Sequence, residues 1–277
     1  MKLSLVQMNG TPDRDANVDR ACAFIDQAVA EEKPDLVVLP EFFNIPYVFQ
    51  FWDMAGMDWA ERDDGPTIRR MREKARQCGV NLIATIFEEH GPGVYYDTAF
   101  AIDRRGEIAG KYRKTHPAAV KSLEKVYFRY GSHFPVFKLD DWRVGVHICY
   151  DAAFPETARC LALNGAELIV APFAAAKGRP CWREQAVVRA FENGVYYAAC
   201  NKVGVEGNWA MGGASLIVDP NGGVLAGADD EKEAIVSARL DRDEIARARR
   251  LRPHFRDRRP DLYTALCTPT EDIPRLD

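Results

Sequence analysis

No leader segment is expected at the start of this sequence. Met1 runs straight into Lys2-Leu3-Ser4-Leu5-Val6-Gln7-Met8, with neither a basic stretch nor a long apolar one to act as a secretion signal. No apolar run elsewhere approaches the roughly 20 residues that cross a bilayer. Basic charge is also short: 37 Lys and Arg face 41 Asp and Glu, for a net charge of −4. That balance excludes an overall attraction to nucleic acid or to an anionic membrane. Cysteines number seven, odd for a disulfide framework, so reduced thiols and a cytoplasmic setting are expected. Short repeats, low-complexity tracts and interdomain linkers are missing too, so one domain spanning 1–277 is expected.

What is present is an alternation of strand-like and helix-like segments, in a chain that is 47% hydrophobic and 28% charged. Strands are expected over 2–8, 36–39, 81–88, 94–103, 135–139, 143–148, 167–171, 195–201, 213–219 and 234–240. Helices are expected over 14–32, 66–78, 156–164, 181–193 and 241–250. The first is marked by Phe24, Ala28 and Val29 at helical spacing, with Pro34 closing it. Turn residues such as Asp103-Arg104-Arg105-Gly106 and Pro220-Asn221-Gly222-Gly223 separate the strands. So many strands with helices between them imply an α/β protein with more than one sheet.

Three segments each end a run on one isolated reactive or charged residue. Cys149 closes the run 142–148 and opens a turn toward a helix start, the place where an α/β enzyme holds a nucleophile. Glu41 ends Asp35-Leu36-Val37-Val38-Leu39-Pro40 and is followed by Phe42 and Phe43. A carboxyl in apolar surroundings gains proton affinity and can serve as a base, although it can equally cap a loop or pair with an arginine. Lys114 lies in Lys111-Tyr112-Arg113-Lys114-Thr115-His116, which by itself reads as a solvated basic loop. Glu124, a little further on, could neutralise a lysine or face water.

A reactive cysteine needs a base. His116 and His147 are candidates, but alternation puts His147 and Cys149 about 7 Å apart at Cα, awkward for a direct hydrogen bond. That pair is an equally weak metal signal, and no cluster of His, Cys and acids at ligand spacing supports it. Cys22, Cys78, Cys160, Cys181, Cys200 and Cys267 are expected as small buried residues.

Taken in order, the three segments are far more specific. Leu39-Pro40-Glu41, then Lys111 to His116, then Ile148-Cys149-Tyr150-Asp151 with Phe154-Pro155-Glu156, resemble the nitrilase, or carbon–nitrogen hydrolase, superfamily. So do Asn164-Gly165-Ala166-Glu167, Arg189 to Gly194, Asn201-Lys202-Val203-Gly204 and Gly212-Gly213-Ala214-Ser215. The resemblance runs from about residue 3 to 265. It implies a four-layer α-β-β-α sandwich of two mixed sheets, and a Glu–Lys–Cys triad. Glu41 would be the general base, Lys114 the cation, Cys149 the nucleophile and Glu124 a second acid that orients the lysine. It implies no metal and no organic cofactor, only a small amide and water as partners. Phe42, Tyr47, Tyr150, Phe173 and Trp182 are the residues expected to line the substrate.

The resemblance points to the amidase and carbamoylase branches, because Cys149-Tyr150-Asp151 replaces the Cys-Trp-Glu common in nitrilases. Ala152 and Ala153 stand where N-carbamoyl-D-amino-acid hydrolases carry two arginines, which leaves Arg179 or Arg183 for any carboxylate. The run from Phe42 to Tyr47, with Phe49 and Trp52, is similar to N-carbamoylputrescine amidases, and Asp53 or Asp58 would suit an amine tail. His116-Pro117 lacks one residue usual in the family, which implies an altered loop. The expected activity is hydrolysis of a small amide or N-carbamoyl amine with release of ammonia. A nitrilase and a non-catalytic interaction protein are the competing classes. Residues 239–260 hold nine arginines against four acids, yet no nucleic-acid motif appears. The resemblance implies a subunit contact for the extension 241–277, in a homodimer or larger assembly.

Overall fold

The computed structural model describes residues 1–269; the end of the extension, 270–277, lies outside the described residues. The first half of the chain forms β1 (Lys2–Gln7), α1 (Arg14–Glu32), β2 (Leu36–Val38), α2 (Pro66–Cys78), β3 (Asn81–Gly91), β4 (Val94–Ile102), β5 (Ile108–Arg113) and the short α3 (Glu124–Tyr127). The second half forms β6 (Val136–Leu139), β7 (Trp142–Val146), α4 (Pro155–Leu163), β8 (Leu168–Phe173), α5 (Trp182–Asn193) and β9 (Tyr196–Asn201). It continues through β10 (Val203–Glu206), β11 (Trp209–Gly212), β12 (Leu216–Val218), β13 (Val224–Gly227), β14 (Ala234–Arg239), α6 (Arg242–Leu251) and α7 (His254–Asp257).

Two six-stranded mixed sheets result, ordered β14-β1-β2-β3-β4-β5 and β6-β7-β8-β9-β12-β13. Read in those directions, both follow the same sequence of pairings: antiparallel, parallel, parallel, antiparallel, antiparallel. The repeat is one of topology, not of sequence. Side chains alternate faces along a strand, and here the alternation decides the layers. Leu3, Leu5, Leu36, Val38, Ile83, Ala99, Ala101 and Tyr112 turn inward onto residues of the second sheet. Their neighbours Val6, Val37, Leu82, Ala84, Phe100 and Ile102 turn outward onto Ile25 and Ala28 of α1 and Ile68 and Met71 of α2. Leu161 of α4 and Ala186 and Ala190 of α5 cover the far side. The four-layer α-β-β-α sandwich is thereby complete.

The expected elements largely form, and the differences have local causes. Strand β5 was not expected, because Lys111 and Arg113 make it look solvated. Both point outward onto buried Glu88, at 2.5 and 2.8 Å, while Tyr112 and Lys114 point into the sandwich. Burial alone would push the Glu88 carboxyl up, but Arg113, Lys111 and Thr98 hold it down to about 2. The hairpin β10–β11 was also not expected; its two-residue turn Gly207-Asn208, with Gly207 at φ +60°, is the signal that marks it. The cysteine expectation needs correction. Cys22 and Cys200 are buried, Cys78 and Cys160 half-buried, and Cys181 and Cys267 exposed, because the last four fall on helix or turn positions that face outward. Among the described residues no helix is long and apolar enough to cross a membrane.

The backbone around Lys114 is closed by a glycine. Gly131 N–H donates to the Lys114 carbonyl at 2.8 Å, and a Cβ there would sit 1.9 Å from the Arg113 carbonyl oxygen. Gly131→Ala should therefore destabilise the fold by about 1–3 kcal/mol, the usual range for overpacking. Urea unfolding measures it, and a midpoint equal to the parent's would contradict this packing.

Candidate active site

Glu41, Lys114 and Glu124 come from three separate elements and meet in the interior. Lys114, 1% exposed just past β5, places Nζ 2.7 Å from Glu41 Oε1 and 2.6 Å from Glu124 Oε2. Burial would strip its proton, but Glu124, Glu41 and Asp97 outweigh that and push the lysine well above its ordinary value, so it is an ammonium. Glu41 is reached through the turn after β2, where Phe42 takes φ +49°. Its Oε2 accepts the Ala174 N–H at 2.7 Å. Glu124 accepts the Ala118 N–H and the Tyr47 hydroxyl, at 2.8 and 2.6 Å. Burial raises the Tyr47 phenol, and Glu124 raises it further, so Tyr47 remains a donor.

Asp97 of β4, which the sequence did not single out, is the third carboxylate. Its Oδ2 lies 3.2 Å from Lys114 Nζ. Glu41, Asp97 and Glu124 stand close enough to ligate a cation, and the cation among them is the lysine's own ammonium. A lone Asp inside a strand pattern carries no spacing signal.

Cys149 opens a short 3₁₀ turn, Cys149–Ala153, at the end of β7 and takes φ +44°, a left-handed conformation rare for a side-chain-bearing residue. Burial pushes its thiol well up, Glu41 adds to this, and Lys114 and Arg179 oppose it. The group therefore rests as a thiol and needs a base. Asp151 fixes this turn to the lysine segment. Its Oδ2 accepts Ile148 N–H and Tyr112 O–H, at 2.9 and 2.7 Å, and its Oδ1 accepts His116 N–H and Thr115 O–H, at 3.0 and 2.9 Å. Burial alone would raise the Asp151 carboxyl, but these donors hold it low. His116 adds its Nδ1 to the same oxygen at 2.8 Å and stacks on Phe154, at 4.0 Å between centroids.

Cys149 opens onto a cavity of about 640 Å³, whose wall includes Tyr47, Ser122, Tyr150, Arg179 and Trp209. Tyr47 and Tyr150, two of the residues expected to line the substrate, are on this wall. Phe42 and Phe173 are not on this wall, and Trp182 lines a neighbouring pocket that shares Ala176, Lys177, Gly178 and Arg179 with the cavity. Phe42 packs on Phe49 and Phe128, 4.8 and 5.9 Å between centroids. Phe173 packs on Trp182 at 4.6 Å, and the Trp182 indole N–H donates to Ala214 O. Aromatics beside a turn satisfy their apolar bodies in the core first. Asp53 caps the turn 54–59 and Asp58 offers its carbonyl to Arg14, so neither reaches the cavity.

The carbon–nitrogen hydrolase family model matches residues 2–250. The chain belongs to the carbon–nitrogen hydrolase family. Within it, the chain is 34% identical over 272 residues to omega-amidase NIT2 of Xenopus tropicalis, covering 95% of this chain and 96% of that one. It superposes on the crystal structure of a carbon–nitrogen hydrolase from Helicobacter pylori G27 with a TM-score of 0.93 at 29% identity, covering 97% and 98%. An amidase from Nesterenkonia sp. AN1 matches with a TM-score of 0.81 at 26% identity over 96% of each chain; in that structure the acetamide moiety of fluoroacetamide is joined covalently to the active-site cysteine. This carbon–nitrogen hydrolase is accordingly an amidase-type enzyme of the nitrilase superfamily, acting on C–N bonds of amides.

His147, two residues before the cysteine, does not contact it by hydrogen bond. It is buried against Tyr197, and neither ring nitrogen has a partner among the described residues. Burial lowers its pKa from 6.5 to about 4. The unfolded chain takes up that proton where the folded chain refuses it, so stability falls as pH drops from about 6.5 through 4. His147→Leu should flatten this part of the stability–pH curve. Urea midpoints at pH 7 and pH 5 test it, and equal acid losses in parent and variant would contradict it.

Proposed function

We propose that the chain hydrolyses the amide of a small, carboxylate-bearing substrate through a thioester on Cys149. What carries the reading is the ammonium of Lys114 held between Glu41 and Glu124 beside a thiol that opens onto the cavity. Glu41 takes the Cys149 proton as sulfur attacks the amide carbon. Lys114 Nζ and the backbone N–H of Tyr150 face the oxyanion that forms. As the C–N bond breaks, Glu41 returns the proton to nitrogen and ammonia leaves. Water then gives a proton to Glu41 and attacks the thioester; the acid departs and the thiol is restored. Glu124 orients Lys114 throughout, itself held by Tyr47. The covalently modified cysteine of the Nesterenkonia amidase supports the nucleophile assignment.

The substrate's charge follows from the wall. Its charged side chains are Lys121, Lys177 and Arg179, and no carboxylate lines it among the described residues. Lys177 is paired with Asp230, at 2.8 Å, on the exposed rim. Arg179 has no carboxylate partner among the described residues; Gln185 accepts its N–H at 2.9 Å, and Phe173 and Trp182 lie under its guanidinium. A planar fork so held suits a substrate carboxylate. An amine tail, as in N-carbamoylputrescine, would meet only like charge. That the relatives are omega-amidases agrees with an amide at the far end of such a molecule. Exposed Leu251, Leu262 and Leu266 support reading the stretch from 241 onward as a contact with a second copy of the chain.

Ammonia release from a dicarboxylic acid monoamide, an N-carbamoyl amino acid, N-carbamoylputrescine, a neutral aliphatic amide and its nitrile tests this, with Cys149→Ala as blank. The acidic substrates should be turned over best. Arg179→Ala should raise their KM by about 10- to 100-fold, as loss of a charge-assisted hydrogen bond does, and leave the neutral amide unchanged. Preference for N-carbamoylputrescine, or a KM unmoved by the substitution, would overturn the anionic-substrate reading.

A further inference from the structure

Asp97 is distinguished from the two glutamates that share Lys114. Glu41 and Glu124 each receive a backbone N–H, from Ala174 and Ala118, and Glu124 also receives the Tyr47 hydroxyl. Asp97 is 1% exposed, and among the described residues neither of its oxygens meets a donor in hydrogen-bond geometry, although Oδ2 is 3.2 Å from Lys114 Nζ. The acceptor positions nearest the ammonium are taken at 2.7 and 2.6 Å by Glu41 and Glu124. Three ionised carboxylates around one ammonium would leave two uncompensated charges in the interior, at a cost of several kcal/mol each. Of the three, the one without donors loses least by taking a proton.

We propose that Asp97 is held as a neutral carboxylic acid and is a positioning residue, fixing Lys114 and Glu41 without adding charge to the site. The groups that face it are Lys114 from the end of β5, Glu41 from the turn after β2 and Glu124 from α3. Burial drives its proton affinity well up; Lys114 opposes this, and Glu41 and Glu124 reinforce it. Its backbone is committed as well, since the Asp97 carbonyl accepts the Lys114 N–H at 2.9 Å. The consequence is electrostatic. A neutral Asp97 leaves Lys114 answerable to Glu41 and Glu124 alone, so the ammonium keeps attraction to spare for an oxyanion. An ionised Asp97 would absorb that attraction and leave the ammonium less to offer the oxyanion.

The functional part of this inference rests on the proposed roles of Glu41, Lys114 and Cys149; the protonation state can be read without turnover. Infrared spectra of the intact enzyme at neutral pH should contain the carbonyl stretch of a protonated carboxylic acid that shifts on isotopic labelling of aspartate and disappears in Asp97→Asn. The labelled parent supplies the result even where the variant folds poorly. Asp97→Asn, neutral and of the same shape, should keep kcat within about threefold and leave the pH profile in place, whereas Asp97→Ala should lower kcat by about tenfold or more through loss of position. Absence of the aspartic acid band overturns the proposal. So does an acid limb of kcat/KM that moves by about one pH unit in Asp97→Asn, the mark of a lost charge. If no amide is turned over at all, the function above fails while the band still decides Asp97.

Discussion

The buried ammonium of Lys114 is the constraint on which the rest depends. An ammonium with 1% exposure is tolerated only where acidic groups meet it, and here the carboxyl groups come from the turn after β2, from β4 and from α3. Each of these elements must therefore be in place for the lysine to be buried. The protein holds its charges so that one thiol, its proton affinity raised by burial and by Glu41, lies at the cavity beside the Lys114 cluster.

Supports further out obey the same logic. Asp151 ties the Cys149 turn to Thr115 and His116, so Cys149 and the Lys114 segment are held to one another. A second buried pair, Lys202 and Glu206 at 2.8 Å, anchors the hairpin β10–β11 whose Trp209 forms part of the wall. Glu206 also accepts the N–H groups of Tyr47 and Gly10, at 2.7 and 2.6 Å. Through Tyr47 this reaches Glu124, and so the lysine. The cavity wall and the charged cluster are one connected network rather than two features side by side.

Much of this was legible in the chain. Long helices with clear ends, α1 and α2, fall where their spacing and caps predict. Glu41 and Cys149 stand out because each terminates an apolar run. Lys114 was legible only through the order of the three segments, since Lys111 and Arg113 mask β5 until Glu88 is seen beneath them. Asp97 was not legible: its significance lies in partners from other elements. Phe42, Phe173 and Trp182 lie outside the lining of the Cys149 cavity for a related reason: an aromatic next to a turn gives no hint of which side it will take. The charge of the cavity emerges only when Lys121, Lys177 and Arg179 are brought together in space.

The central claim is that Cys149 carries the acyl group after ammonia has left. The direct measurement is to mix enzyme with a dicarboxylic acid monoamide, quench in acid within a single turnover, and weigh the intact protein while counting ammonia. The account predicts a mass increase equal to the acyl group, located on the peptide containing Cys149, with ammonia released in equal amount before free acid appears. Formation of acid with no adduct, and undiminished turnover by Cys149→Ala, would contradict it.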